Sequence, residues 1–190
     1  MASILTVDTI QGSTTAANVK MPKGHVIQVE STTVTTGDTS VSTNVSINGN
    51  NFLDIPGMAV SITPKYATSK ILVTYSLTCS ASTGQTVIIR LMRDSTPINV
   101  GTDATGSQLN ASHIFRPASN AYVFDASNIC GTFLDSPATT SATTYKLQFT
   151  GGANDAYNYT LNLNRVLNNS TTVPYAAAMV SNITVMEIAQ

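Results

Sequence analysis

Hydrophobic and polar residues alternate along most of this chain with a period of two, and nowhere does a 3.6-residue apolar period persist for three turns. Over 71–79, Ile71, Val73, Tyr75, Leu77 and Cys79 fall on one side of an extended chain. Leu72, Thr74, Ser76 and Thr78 fall on the other. Tyr145, Leu147 and Phe149 alternate with Lys146 and Gln148, and Tyr157, Tyr159, Leu161 and Leu163 alternate with Asn158, Thr160, Asn162 and Asn164. Two runs are apolar on both sides. In 86–93, Val87, Ile89 and Leu91 oppose Ile88, Arg90 and Met92; in 180–188, Ile183 and Val185 oppose Met186 and Ile188. Further strands are predicted near 25–34, 41–47, 52–63, 120–125 and 128–134. Turn signals separate the runs at Asn48-Gly49-Asn50, Pro64, Ser82-Thr83-Gly84, Asp94 to Pro97, Ser136-Pro137 and Gly151-Gly152. Many short strands without helices for parallel crossovers predict an all-β fold, an antiparallel β-sandwich or jelly roll, over residues 25–190.

Residues 1–24 follow another pattern. Their apolar residues are mainly Ile4, Leu5, Val7 and Ile10. A linker-like stretch, Gly12-Ser13-Thr14-Thr15-Ala16-Ala17-Asn18, then leads to Met21-Pro22-Lys23-Gly24. Such a segment cannot form its own core, so it is expected to be an extended arm that docks on a sister subunit or another protein.

Composition sharpens the picture. Of the 190 residues 10% are charged, against about 25% in an ordinary soluble domain. Thr, Ser and Asn supply about a third of the chain, which disfavours helix and suits strands and turns. Net charge is −1 and no basic cluster exceeds Lys20 with Lys23, which argues against a nucleic-acid partner. No apolar run is long enough to span a bilayer, and the first residues lack the features of a signal peptide. Cys79 and Cys130 lie in strand-like runs and are read as buried thiols, with a Cys79–Cys130 disulfide left open.

Candidate chemistry is sparse. His25 is expected at the mouth of a strand and His113 in a loop, without the spacing of a triad or a zinc site. Gly101 to Ser107 has the glycine spacing of a phosphate loop but lacks the lysine. Asp54, Asp94, Asp103, Asp125, Asp135 and Asp155 are scattered near turns. That leaves open a surface Ca²⁺ site but gives no paired acids for glycoside cleavage. Asn-x-Ser/Thr triplets at Asn44, Asn110, Asn158 and Asn182 arise from composition alone. Tyr122, Tyr157 and Tyr159 offer aromatic faces for a sugar, yet Tyr157 and Tyr159 share the alternation of Leu161 and Leu163, which reads as core or subunit contact. No catalytic residue, metal site or cofactor is expected.

The segment Ser3-Ile4-Leu5-Thr6-Val7-Asp8-Thr9-Ile10-Gln11-Gly12, running into Asn18 to Gly24, resembles the N-terminus of virion structural and tail-fibre-like proteins of tailed phages from aquatic environments. The stretch Phe133 to Lys146 and the end Ser181 to Ile188 resemble the same group. The layout from residue 52 onward is similar to the trimeric jelly rolls of the tumour necrosis factor and complement globular-head class. This second likeness concerns fold alone.

The resemblance implies a non-enzymatic protein of the virion surface, made in the host cytoplasm. The leading expectation is a short tail fibre or spike subunit with Ile4, Leu5, Val7 and Ile10 as its docking arm, displaying a head that attaches to a host-surface glycan or protein. A capsid decoration protein is the alternative; a free lectin or a polysaccharide depolymerase ranks lower. Apolar residues on both faces of the last strand predict a homotrimer, with Tyr157, Tyr159, Ile183, Val185, Met186 and Ile188 at the interface.

Overall fold

In the computed structural model, residues 22–44, 52–81, 86–116, 125–151, 158–167, 172 and 176–190 are described, the side chains of 38–44 and 158–159 excepted. They form eleven strands and, among the described residues, no helix. These are β1 (Val26–Val34), β2 (Asp38–Asn44), β3 (Leu53–Ile62), β4 (Lys70–Ala81), β5 (Val87–Arg93), β6 (Thr96–Ile98), β7 (His113–Phe115), β8 (Ser127–Asp135), β9 (Thr143–Gly151), β10 (Asn158–Leu163) and β11 (Ser181–Ile188).

The strands make two antiparallel sheets packed as a sandwich. In sheet I the order is β1-β11-β4-β10-β2, with β8 on the other side of β4; in sheet II it is β3-β9-β5-β6, with β7 also paired to β5. The all-β sandwich expected from the alternation is therefore present. The expected strand at 120–125, the arm residues Ile4, Leu5, Val7 and Ile10, and Tyr122, Tyr157 and Asp155 lie outside the described residues.

Period-two alternation becomes burial because one side of each strand must leave water. Ile71, Val73, Tyr75, Leu77 and Cys79 of β4 face Tyr145, Leu147 and Phe149 of β9 and Val87, Ile89 and Leu91 of β5 in one continuous core. Strand β5 is covered on both faces as its sequence predicts, since Ile88 and Met92 are buried too. Strand β3 is less regular than its run suggests. Its register with β9 shifts between Asp54 and Ala59. Gly57 there has φ +74°, and a Cβ on it would meet Val34 Cγ2 at 2.8 Å.

Strand β4 carries two neighbours along one edge, β11 beside 70–76 and β10 beside 79–81. Where they diverge, Asn164 and Ser181 fill the gap. Ser181 Oγ donates to Asn164 Oδ1 at 2.6 Å and accepts from Thr78 N at 2.9 Å, and Asn164 Nδ2 donates to Val34 O at 2.7 Å. Asn164 sits at φ +55°, a conformation asparagine tolerates better than most residues. At this node Thr78 N and Thr78 O both find partners, Ser181 Oγ and Asn164 N, where the two neighbouring strands part.

Candidate interaction surfaces

Three polar links cross the interior. Glu187 is fully buried on the core face of β11, between the positions of Val185 and Ala189. Its Oε1 accepts from Lys65 N at 2.8 Å and Tyr66 N at 3.2 Å, and its Oε2 accepts from Gln28 Nε2 at 2.7 Å. It pins the β3–β4 connection to β1 and β11. Asp135, at the end of β8, accepts from Arg93 Nη1 at 2.9 Å on both oxygens and from Tyr145 Oη at 2.7 Å. This ties sheet I to β5 and β9 of sheet II. Burial, then the Asp135 hydrogen bond and charge, push the Tyr145 phenol well above its usual range.

The third link joins Tyr75 of β4 to His113, at 2.8 Å between Tyr75 Oη and His113 Nε2, with the rings edge to face. His113 lies in strand β7, not in the loop expected for it, and burial lowers its pKa. Burial, and to a smaller extent the Cys130 charge, push the Tyr75 phenol up to about 12. Gly131 lies opposite Tyr75 in the register. A Cβ there would sit 2.2 Å from Tyr75 Cζ, so only glycine leaves room for the ring.

One expectation needs correction. Cys79 and Cys130 do not share one environment. Cys79 is in the core, where burial pushes its thiol up to about 12, whereas Cys130 is exposed on the outward face of β8 and its Sγ lies 2.7 Å from Asn128 Oδ1. Both are free. Residues of opposite faces cannot bridge without moving backbone. The scattered aspartates also resolve into separate jobs. Asp94 ties the β5–β6 turn to β9 by accepting from Thr144 N at 2.8 Å, Asp54 joins a surface ladder, and Asp135 is the interior anchor just described. No group of three or more His, Cys, Asp or Glu able to hold a metal occurs among the described residues.

The two outward faces carry what remains. On sheet II, Asp54, Gln148 and Arg90 stand in one row across β3, β9 and β5. Asp54 accepts from Lys146 Nζ at 2.8 Å and from Gln148 Nε2 at 2.6 Å. Gln148 Oε1 accepts from Arg90 Nε at 3.0 Å and Nη2 at 2.8 Å, and the Arg90 guanidinium lies 3.7 Å above the Phe52 ring centroid. Burial alone raises the Asp54 pKa. The Lys146 and Gln148 hydrogen bonds and the Lys146 and Arg90 charges outweigh it and hold the carboxyl below its usual range.

Sheet I is different. Its register sets Val29, Met186, Leu72 and Leu134 side by side on β1, β11, β4 and β8. Val26 and Ile188 form the next row, ending at Lys70. Beyond the apolar row come Ser31, Thr184, Thr74 and Thr132, then Thr33, Asn182, Ser76 and Cys130. Val29 is 51% exposed, Leu134 47% and Val26 48%. Lys70 is the one charged side chain in these rows. Hydroxyls and amides on the face bond to one another: Ser31 Oγ lies 2.8 Å from Thr184 Oγ1, and Asn128 Nδ2 donates to Ser76 Oγ at 2.9 Å and Thr78 Oγ1 at 2.8 Å.

The interface expected at the last strand therefore divides. Ile183 and Val185 are 0% exposed within the single chain and belong to its own core, so they offer no surface to a neighbour. Met186 and Ile188 turn outward and belong to the apolar patch, together with Val29, Leu72 and Leu134, which the sequence reading did not single out. Tyr159 pairs through its backbone with Thr43, and its side chain is outside the description. No known family model matches the chain, and no curated protein aligns with it.

Proposed function

We propose that this chain is a non-enzymatic structural protein of the virus particle: a short tail fibre or spike subunit, anchored by its N-terminal arm and assembled as a homotrimer that presents the β-sandwich to the host surface. The observation that carries this reading is the outward face of sheet I. An isolated soluble domain keeps its exposed sheet faces polar. Here four strands present an apolar row beside polar groups several of which bond to one another, a face suited to being covered in an assembly. The sequence likeness of both ends and the middle of the chain to phage virion proteins supplies the kind of assembly.

Gold-labelled antibody against the recombinant chain, applied to intact particles of the source virus, tests the reading. Label on the tail is expected. Label on the head favours the capsid decoration alternative, and absence of the chain from purified particles overturns both.

A further inference from the structure

We infer that the N-terminal run Ser3–Gln11 of one copy adds as a strand to the open edge of β8 in the next copy. This pairing rests on the homotrimer of the reading above and names the surface that its docking arm meets.

A sheet edge carries a row of unpaired backbone groups, and proteins protect such rows with bulges, proline, charge or very short strands. The other edges of this sandwich are protected. Strands β1, β2 and β3 each carry extra residues where their register breaks. Strand β3 also holds Pro56, and β6 and β7 are three residues each, with Pro97 in β6. Strand β8 has none of these features. Its nine residues pair with β4 in unbroken register, and among the described residues β4 is its only strand neighbour. It contains no proline and no lysine. Its one charged residue, Asp135, is buried at its end and already bonded to Arg93 and Tyr145.

Such an edge accepts an extended segment with free amides and carbonyls. Ser3–Gln11 has nine residues, the length of β8. Ile4, Thr6, Val7, Thr9 and Ile10 are β-branched, none of the nine is glycine or proline, and Asp8 is their one charge. Gly12 ends the run.

The point where the arm leaves the sheet decides whose edge it meets. Gly24 N donates to Ala189 O at 2.8 Å, so the arm departs from the end of sheet I where β11 and β8 finish and β4 begins. Laid back from that end along its own β8, the run would lie parallel to it. Every described strand pair in the molecule is antiparallel, and parallel pairing is slightly the weaker per residue. Antiparallel pairing with its own β8 would stretch residues 12–21 over ~35 Å, one strand length along and four strand spacings across, which is the limit of ten fully extended residues. A neighbouring copy can present β8 in the antiparallel sense. Each copy then gives an arm and receives one, the two different surfaces that a three-fold ring requires.

Cross-linking in the full-length chain tests this, because β8 carries a native thiol. Cys130 is exposed on the edge strand, and Cys79 is buried out of reach. Cysteines are placed singly along the run, as Thr6→Cys, Val7→Cys, Asp8→Cys and Thr9→Cys, and each protein is mildly oxidised. The wild type is expected to sediment as a trimer. Disulfide-linked dimers and trimers are expected from the variants on non-reducing gels. Their yield should be high at alternate positions and low between them, since successive side chains of a strand point to opposite faces. Adding Cys130→Ser is expected to abolish them.

A disulfide closed within one chain overturns the sister copy as acceptor and makes the arm a strand of its own chain. Equal cross-linking at all four positions overturns the strand. A trimeric wild type whose four variants form no cross-link to Cys130 overturns the pairing and leaves the homotrimer standing. A monomeric wild type overturns the pairing and the homotrimer together. Where the protein sits on the particle is decided separately by the labelling experiment.

Discussion

The outward faces of the two sheets sit on one core and follow opposite rules. Sheet II holds its surface with charge: Asp54, Lys146, Gln148 and Arg90 form a ladder over the Phe52 ring. Sheet I holds its surface with hydroxyl pairs and an apolar row. Each sheet contains a strand that is apolar on both sides, β5 in sheet II and β11 in sheet I, so alternation alone does not say which face meets water. The difference lies in what stands opposite what once the strands are in register. A charged residue beside another of opposite sign makes a solvated ladder, and a single apolar residue on each of four strands makes a stripe only when the four align.

The contrast depends first on the sheets being locked to one another, and the largest effect is expected there. Asp135→Ala leaves the Arg93 guanidinium and the buried Tyr145 hydroxyl without their acceptor. Removing one partner of a buried pair costs about 3–5 kcal/mol, so the urea midpoint should fall steeply, with m unchanged if the chain still unfolds in one step. Gly131→Ala is expected to follow, at about 1–3 kcal/mol, because its Cβ overpacks Tyr75 behind sheet I. If chemical denaturation shows Asp135→Ala as stable as the wild type, the two sheets are not coupled as described; an equally stable Gly131→Ala would show that the Tyr75 ring does not need the space over that glycine.

On the charged face the effect should be small. Asp54 is more than half exposed, so solvent screens its pairing and Asp54→Ala should cost no more than about 1 kcal/mol. The sign follows from its lowered pKa. A carboxyl held below its unfolded value contributes stability above that unfolded value of about 4, and loses it as pH falls through the lower folded value. The stability difference between wild type and Asp54→Ala should therefore be present at pH 7 and shrink below pH 4, as acid titration of the two proteins would reveal.

The smallest effect is expected on the apolar face. Raising salt from 0.1 to 1 M shortens the screening length from about 10 to about 3 Å. It should weaken the sheet II ladder and leave the proposed homotrimer intact. Sedimentation at both salt levels checks this, and salt-induced dissociation would mean that charge holds the copies together.

Much of the fold was legible in the chain. The alternation over 71–79 and 145–149 became β4 and β9 with their apolar alternating residues inward, the double-sided run at 86–93 became β5, and the run at 128–134 became β8, with Cys130 outward instead of buried. The short strands β6 and β7 were not legible, because three residues are too few to show a period. His113 was placed in a loop for that reason. Glu187 escaped notice because it occupies an alternating position suited to a hydrophobic residue, and only the backbone amides of Lys65 and Tyr66, far away in sequence, make its burial tolerable.

The sequence by itself determined which residues alternate, hence that the chain makes strands, and that one of the two apolar faces of the last strand needed an explanation beyond the core. It does so because side-chain direction in a strand is a local property of the backbone. Only the tertiary structure decided that Ile183 and Val185 belong to the chain's own interior while Val29, Leu72 and Leu134 join Met186 on an outward stripe. That choice depends on strand order and register, which are set by pairings between residues far apart in the chain, 157 positions for Val29 with Met186, and no local pattern encodes them.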